Sequence, residues 1–345
     1  MFALRGIAVS FSIFILLYSA LSLAVCGLWR NVRLGAQRHS ARRCADLLFI
    51  LRTMPLLVAT GVTLALAVPS FLLLEPRAVN EPIGVLPAVL GLCGMATVLT
   101  GMWKAAAALV RASRTVARWS VEAQEIDARE INGRDINARE IGVRRVARKI
   151  GAGRDDSTDS IPVLRVSGGV PPLTAAGILR PRVWLSRAAE FVLTERELLS
   201  ALRHEVVHVR RRDNLRKLIL RLIAFPGMVE LESTWREATE MAADDAAVSS
   251  ASEALDLAAA VIKLSRLAPL EAPAELTTAL VNSPAESVNA RVERLIAWTE
   301  PRPSPAKRYS LGYRLFAVAV VVVTLVVTYT ELLVRVHAAT EWLVR

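Results

Sequence analysis

Uncharged apolar residues fill three long runs of the chain, Gly6–Trp29, Thr53–Leu74 and Ile83–Trp103. Each approaches the roughly 20 residues a helix needs to cross about 30 Å of hydrocarbon, so the pattern predicts three membrane spans. A fourth run, Leu315–Thr330, is shorter, but Arg314 can snorkel at one end while Tyr329, Glu331 and Arg335 reach headgroups at the other. We expect a fourth span there, over about 311–334. Arg5 precedes the first run as in a signal peptide. That run is longer than the usual apolar region of about 7–15 residues, and Val25-Cys26-Gly27 is a weak cleavage site, so an uncleaved span is expected.

Between the third and fourth runs the pattern changes. Residues 104–121 continue the third helix as a basic amphipathic stretch with Leu109, Val110, Val116 and Trp119, lying either along an anionic leaflet or as a solvated extension. From Ile126 to Arg145 a pentad recurs (IDARE, INGRD, INARE, IGVRR). Five residues advance a helix by 500° and swap faces in a strand, so no apolar face forms and residues 111–160 read as a charged linker. Strand-like runs follow at Pro162–Val166 and Arg182–Leu185, and from Thr194 the period becomes helical behind a capping box, Thr194-Glu195-Arg196-Glu197. Further helical patterns cover about 214–225, 232–249, 251–267 and 284–299, before the Pro-rich stretch 301–305. Leu215–Phe225, apolar but for Arg216, Lys217 and Arg221, fits either the membrane face or a buried helix. The expected architecture is thus a multi-pass α-helical membrane protein, three spans then one, with an inserted α+β, mainly α domain over about 161–300. Residues 301–345 then hold a linker, the fourth span and a short tail.

Composition supports this division: 53% apolar residues are too many for an ordinary soluble enzyme, and the 22% that are charged need a separate wet region. The net charge of +11 follows orientation. Arg30, Arg33, Arg38, Arg42, Arg43 and Arg52 stand against Asp46 between the first two spans, and Lys104, Arg111, Arg114 and Arg118 follow the third. The loop 75–82 instead sets Glu75 and Glu81 against Arg77. The positive-inside rule then puts the N-terminus out, residues 104–310 in the cytoplasm and the tail from about Arg335 out. Direct nucleic-acid binding is not expected. Cys26, Cys44 and Cys93 lie in or beside the spans with no metal-site spacing and no disulfide framework.

The chemistry is concentrated in His204-Glu205-Val206-Val207-His208, which holds two of the four histidines. Residues i and i+4 share a helical face, so His204 and His208 can present nitrogen to one zinc ion while Glu205 serves as general base toward a water. Two exposed histidines on a helix are the bland alternative. A catalytic zinc takes three protein ligands, and His39, His337 and the cysteines lie outside the domain, so the third ligand should be a carboxylate. Glu240 is the leading candidate, with Asp244 on the same face to accept a ligand histidine's N–H; Asp245, Glu237 and Glu232 remain alternatives.

Three ordered motifs carry a family resemblance: Gly177-Ile178-Leu179-Arg180-Pro181-Arg182-Val183, the stretch Leu199–Asp213 around the histidines, and Glu240-Met241-Ala242-Ala243-Asp244. Together with the span layout they resemble the BlaR/MecR-type membrane metallopeptidases. The resemblance implies a gluzincin-like zincin domain, one zinc held by His204, His208 and Glu240, Glu205 as catalytic base, and cleavage of a cytoplasmic protein, typically a winged-helix repressor. The chain departs from that family at two places. The tail, Arg335–Arg345, leaves no room for the penicillin-binding sensor domain, so the signal is expected from a separate sensor protein, the membrane or the outer loops. Phe225-Pro226-Gly227-Met228-Val229 replaces the His-Pro, tryptophan-rich stretch usual there. Quality-control and prenyl-protein peptidases of the HtpX kind form a second enzyme reading, and a zinc-stabilised receptor or scaffold a non-enzyme one. Glu205, which zinc binding does not require, argues against the scaffold.

Overall fold

The computed structural model describes residues 2–36, 40–76, 83–125, 161–166, 170–223, 225, 227–267, 276–280, 285–298 and 328–340. Three N-terminal helices are long and apolar enough to cross a membrane: α1 (Phe2–Ala36), α2 (Ala41–Leu74) and α3 (Val85–Glu122). α1 and α3 pack closely because α3 presents glycine to its neighbour. A Cβ on Gly91 would sit 2.8 Å from the Ala8 carbonyl oxygen, and Ser12 Oγ donates to Pro87 O at 2.9 Å across the same seam. In α2 a π-helical turn, Thr63–Ala67, lies just before Pro69. Proline has no N–H to offer the Ala65 carbonyl four residues earlier. The Tyr329 hydroxyl supplies that donor at 2.7 Å, from a helical segment over 328–340 (α10).

The two ends of the spans differ. At one, Arg5 Nη1 pairs with Glu75 Oε1 at 3.0 Å, and His337 Nδ1 lies 4.0 Å from Glu75 Oε2. At the other, Trp29, Ala45 and Leu48 join a buried cluster with Leu220, Ile223, Met228, Leu231 and Trp235. Arg52 is buried there, and its guanidinium reaches Met228 Sδ at 2.6 Å and donates to Ile223 O at 3.4 Å. The soluble domain therefore docks on the end of the spans opposite Arg5 and His337.

That domain is mixed α/β. Its five-stranded sheet has the order β1-β2-β4-β3-β5, with strands at Gln124–Glu125, Val163–Val166, Leu173–Ala176, Arg182–Ser186 and Thr277–Ala279 taken in chain order. β2 and β4 are parallel, and the other neighbours are antiparallel. Helices α4 (Arg187–Val192), α5 (Glu195–Arg211), α6 (Asp213–Leu222), α7 (Val229–Ala247), α8 (Ala251–Leu267) and α9 (Ala285–Ile296) complete it. Val183 and Leu185 of the sheet bury against Leu198, Ala201 and Leu202 of α5 and Leu257 and Val261 of α8.

Past Trp103, one face of α3 packs on the domain. Its buried face continues onto the domain, where Ala108 and Ala112 meet Leu218 and Leu276, and Trp119 packs edge-on against Trp184 with ring centroids 5.6 Å apart. α6 combines both readings of its sequence: Leu220 is buried against the spans, and Gly101 of α3 allows the Leu222 backbone an approach that any Cβ would block. β1, β3 and β5 lack a sequence-level expectation. The pentad repeat and most of the fourth apolar run lie outside the described residues.

Candidate metal centre

α5 begins where the sequence predicts. Thr194 Oγ1 accepts the Glu197 N–H, and the Glu197 carboxylate accepts the Thr194 N–H at 2.8 Å, closing the capping box. Two and a half turns later the helix presents His204, Glu205 and His208, exposed by 0%, 0% and 1%. It stops at Arg212, whose left-handed backbone (φ 54°) turns the chain back and brings buried Asp213 beside the helix it has just left. Asp213 Oδ2 then accepts the His208 Nδ1–H at 2.7 Å.

α7 supplies the opposing face. Glu240 Oε2 lies 3.5 Å from His204 Nε2, and Glu240 Oε1 lies 3.6 Å from His208 Nε2. One turn on, Asp244 Oδ1 is 2.9 Å from His204 Nδ1. Arg291 of α9 holds Asp244 with two bonds of 2.9 and 2.7 Å, approaches Glu240 Oε2 at 3.2 Å and donates to Leu280 O at 2.7 Å. The alternative carboxylates are elsewhere: Asp245 pairs with Arg294, Glu232 pairs with Arg236, and Glu237 is exposed. His337 sits at the far end of the spans, and His39 lies outside the described residues.

The donor set fits a divalent cation. Asp213 takes the Nδ1–H of His208, and Asp244 Oδ1 stands 2.9 Å from His204 Nδ1, an arrangement that leaves the Nε2 lone pairs for a cation. These two nitrogens are 3.1 Å apart and face the Glu240 carboxylate, and the ligand atoms of all three residues lie within 4.8 Å of one another. Such an arrangement repels itself unless a cation stands among the three groups. Without a metal a proton takes that part: burial pushes His204 down, but hydrogen bonds to Asp244 and Glu240 outweigh it and raise its pKa to about 9. Burial likewise works against the Glu240 carboxylate, yet His208, His204 and Arg291 hold it down at about 2; Arg291 and His204 keep Asp244 well below the usual carboxylate range.

Glu205 is held differently. Its Oε2 accepts the Ala175 N–H of β3 at 3.0 Å and the Thr278 hydroxyl of β5 at 3.4 Å, whereas Oε1 has no hydrogen-bond partner among the described residues. Burial raises its pKa to about 7 against the pull of the two histidines. Lys217 of α6 donates to Thr277 O at 2.6 Å, and burial lowers its pKa against the opposing effect of Glu240 and Asp213.

Asp213, Lys217, Arg291 and the β3 and β5 groups are absent from the sequence-based site. Asp213 alone left a local signal, a carboxylate five residues after a ligand histidine. The sequence gives no significant match to any protein-family model or curated protein. The geometry stands by itself: His204-Glu205 and His208 with Glu240 form a buried three-ligand cluster, able to chelate a divalent metal ion, that matches an HExxH-type zinc-binding catalytic site in a multi-pass membrane protein.

Proposed function

We propose that the protein is a membrane zinc endopeptidase, with His204, His208 and Glu240 as ligands and Glu205 as catalytic base, cutting a protein on the cytoplasmic side. The observation that carries this reading is the pair of Nε2 atoms 3.1 Å apart that faces Glu240, with Glu205 on the same helix and its Oε1 without a hydrogen-bond partner among the described residues. When bound, a zinc ion supplies a Lewis acid for a peptide carbonyl and lowers the pKa of a water to about 7. Glu205, on the same helix as the two histidines, is placed to take a proton from that water and to return it to the leaving amine. Ala175 N–H and Thr278 Oγ1 hold one carboxylate oxygen, so the other keeps a fixed direction. Asp244 and Asp213 orient the imidazoles and make their Nε2 atoms better donors.

The zincin fold, the four-span layout, the BlaR/MecR-type kinship and a winged-helix repressor as substrate belong to the same proposal. Docking of the domain on the end of the spans opposite Arg5 supports an outside N-terminus and a cytoplasmic domain, since the arginine-rich first loop shares the domain's side. An unpartnered Oε1 favours catalysis over a purely structural zinc site. The test is a cleavage assay with candidate cytoplasmic repressors and the detergent-solubilised protein. Wild type should cut, while Glu205→Gln should bind metal normally and leave the substrate whole; cutting by Glu205→Gln would sink the assignment of the base.

A further inference from the structure

The turn between β3 and β4 carries Leu179 at its tip, 92% exposed and followed by exposed Arg180. The turn is firmly held: Gly177 takes a positive φ of 102° beneath the Arg180 carbonyl, and Asn214 Nδ2 donates to both Ala175 O and Gly177 O, at 3.1 and 3.2 Å. The bracing fixes where this exposed leucine stands relative to the spans.

Ile178 fixes the height of that tip, because it packs against the cluster of Ala108 and Ala112 of α3 with Leu276, the same cluster that Leu218 of α6 packs against. The apolar run of α3 ends at Trp103, 75% exposed, and Lys104. Ala108 is five residues further, about 7.5 Å along the helix axis. α6 gives an independent measure. Leu222 touches Gly101 and lines an apolar cavity of about 760 Å³ between the spans, and Leu218 stands one turn, about 6 Å, above it. A headgroup layer is about 5–8 Å thick on each side of the hydrocarbon, so both routes place the tip within it.

Charge agrees with position. Residues 83–121, 173–189 and 214–225 contain no acidic residue, and near this level they carry Lys104, Arg180, Arg182 and Arg221. We propose that the Leu179-Arg180 tip, together with Lys104, is a binding surface for anionic phospholipid, Leu179 entering the edge of the hydrocarbon and Arg180 pairing with a headgroup phosphate. This requires only that α1–α3 span a bilayer and is independent of the peptidase reading. It joins lipid to the metal centre through a short route, since Ala175 of β3, whose N–H holds Glu205, lies two residues before Gly177 of the turn.

The test is spin-label accessibility at Leu179→Cys in full-length protein with Cys26, Cys44 and Cys93 replaced by alanine. The protein is placed in nanodiscs of phosphatidylcholine with or without phosphatidylglycerol, and a label at exposed Leu255 on α8 reports the aqueous reference. With phosphatidylglycerol the Leu179 label should be open to oxygen and shielded from a water-soluble nickel chelate, and Arg180→Ala should weaken that shielding roughly fivefold, the effect of one basic residue at an anionic surface. Nickel access equal to that at Leu255 in both discs would overturn the proposal. So would shielding of equal strength in discs with and without phosphatidylglycerol, which would remove the anionic headgroup from the account.

Discussion

Asp213→Asn is the sharpest probe of how the centre is built. The side chain keeps its shape and can still accept from His208 Nδ1–H, so packing around the 0%-exposed site should hardly change. What it loses is the negative charge that makes His208 Nε2 a strong donor, and with it the partner of Arg211 Nε at 3.5 Å. Losing an outer-shell carboxylate of this kind typically weakens metal binding by about 10–100-fold, or about 1.4–2.7 kcal/mol. Competition against a chromophoric chelator measures this on purified protein, with thermal unfolding of both metal-free proteins showing that the fold is intact. Zinc affinity within a factor of about two of wild type would refute the idea that Asp213 tunes His208.

Three other outcomes follow from the same geometry. Arg291→Met strips the counter-charge from buried Asp244 and Glu240 and should cost about 3–5 kcal/mol of stability, seen as a lowered denaturant midpoint; an unchanged midpoint would show that α9 is not the clasp of the site. The metal-free protein should lose stability as pH rises. His204 is raised from 6.5 to about 9, so its contribution is full below 6.5 and gone above 9, while Glu205, raised from 4.5 to about 7, acts with the same sign between those values. Unfolding temperatures in chelator should therefore fall between pH 6.5 and 9, and a flat or rising profile would contradict the proton's place among the ligands. In the loaded enzyme, kcat/KM should decline as pH drops through a value at or below about 7, where Glu205 becomes protonated.

The metal-bearing helix is legible in the sequence because its signals are local: a capping box, an apolar face and two histidines one turn apart. Glu240 and Asp244 are legible for the same reason, sharing a face of α7. β3 is not, since Leu173-Thr174-Ala175-Ala176 is short and buried on both faces, which removes the alternation that marks a strand. β5 has three residues and exists only through its pairing with β3. Arg291 reads as an ordinary helix arginine until the fold brings it to a carboxylate 47 positions away. The Asp213 contact depends on a left-handed arginine at Arg212, where a glycine would have announced the turn. The docking of α3 on the domain was hidden because the arginines of residues 104–121 dominate its pattern and Ala108 and Ala112, which join Trp119 in the contact, are small.

The most direct measurement is metal analysis of the purified full-length protein beside Glu240→Ala and a His204→Ala, His208→Ala double variant. The account predicts one zinc per chain in wild type, a strongly reduced content in Glu240→Ala and none in the double variant, with all three proteins folded. Zinc that survives removal of both histidines, or a wild type that takes up no divalent metal from zinc-containing buffer, would contradict it.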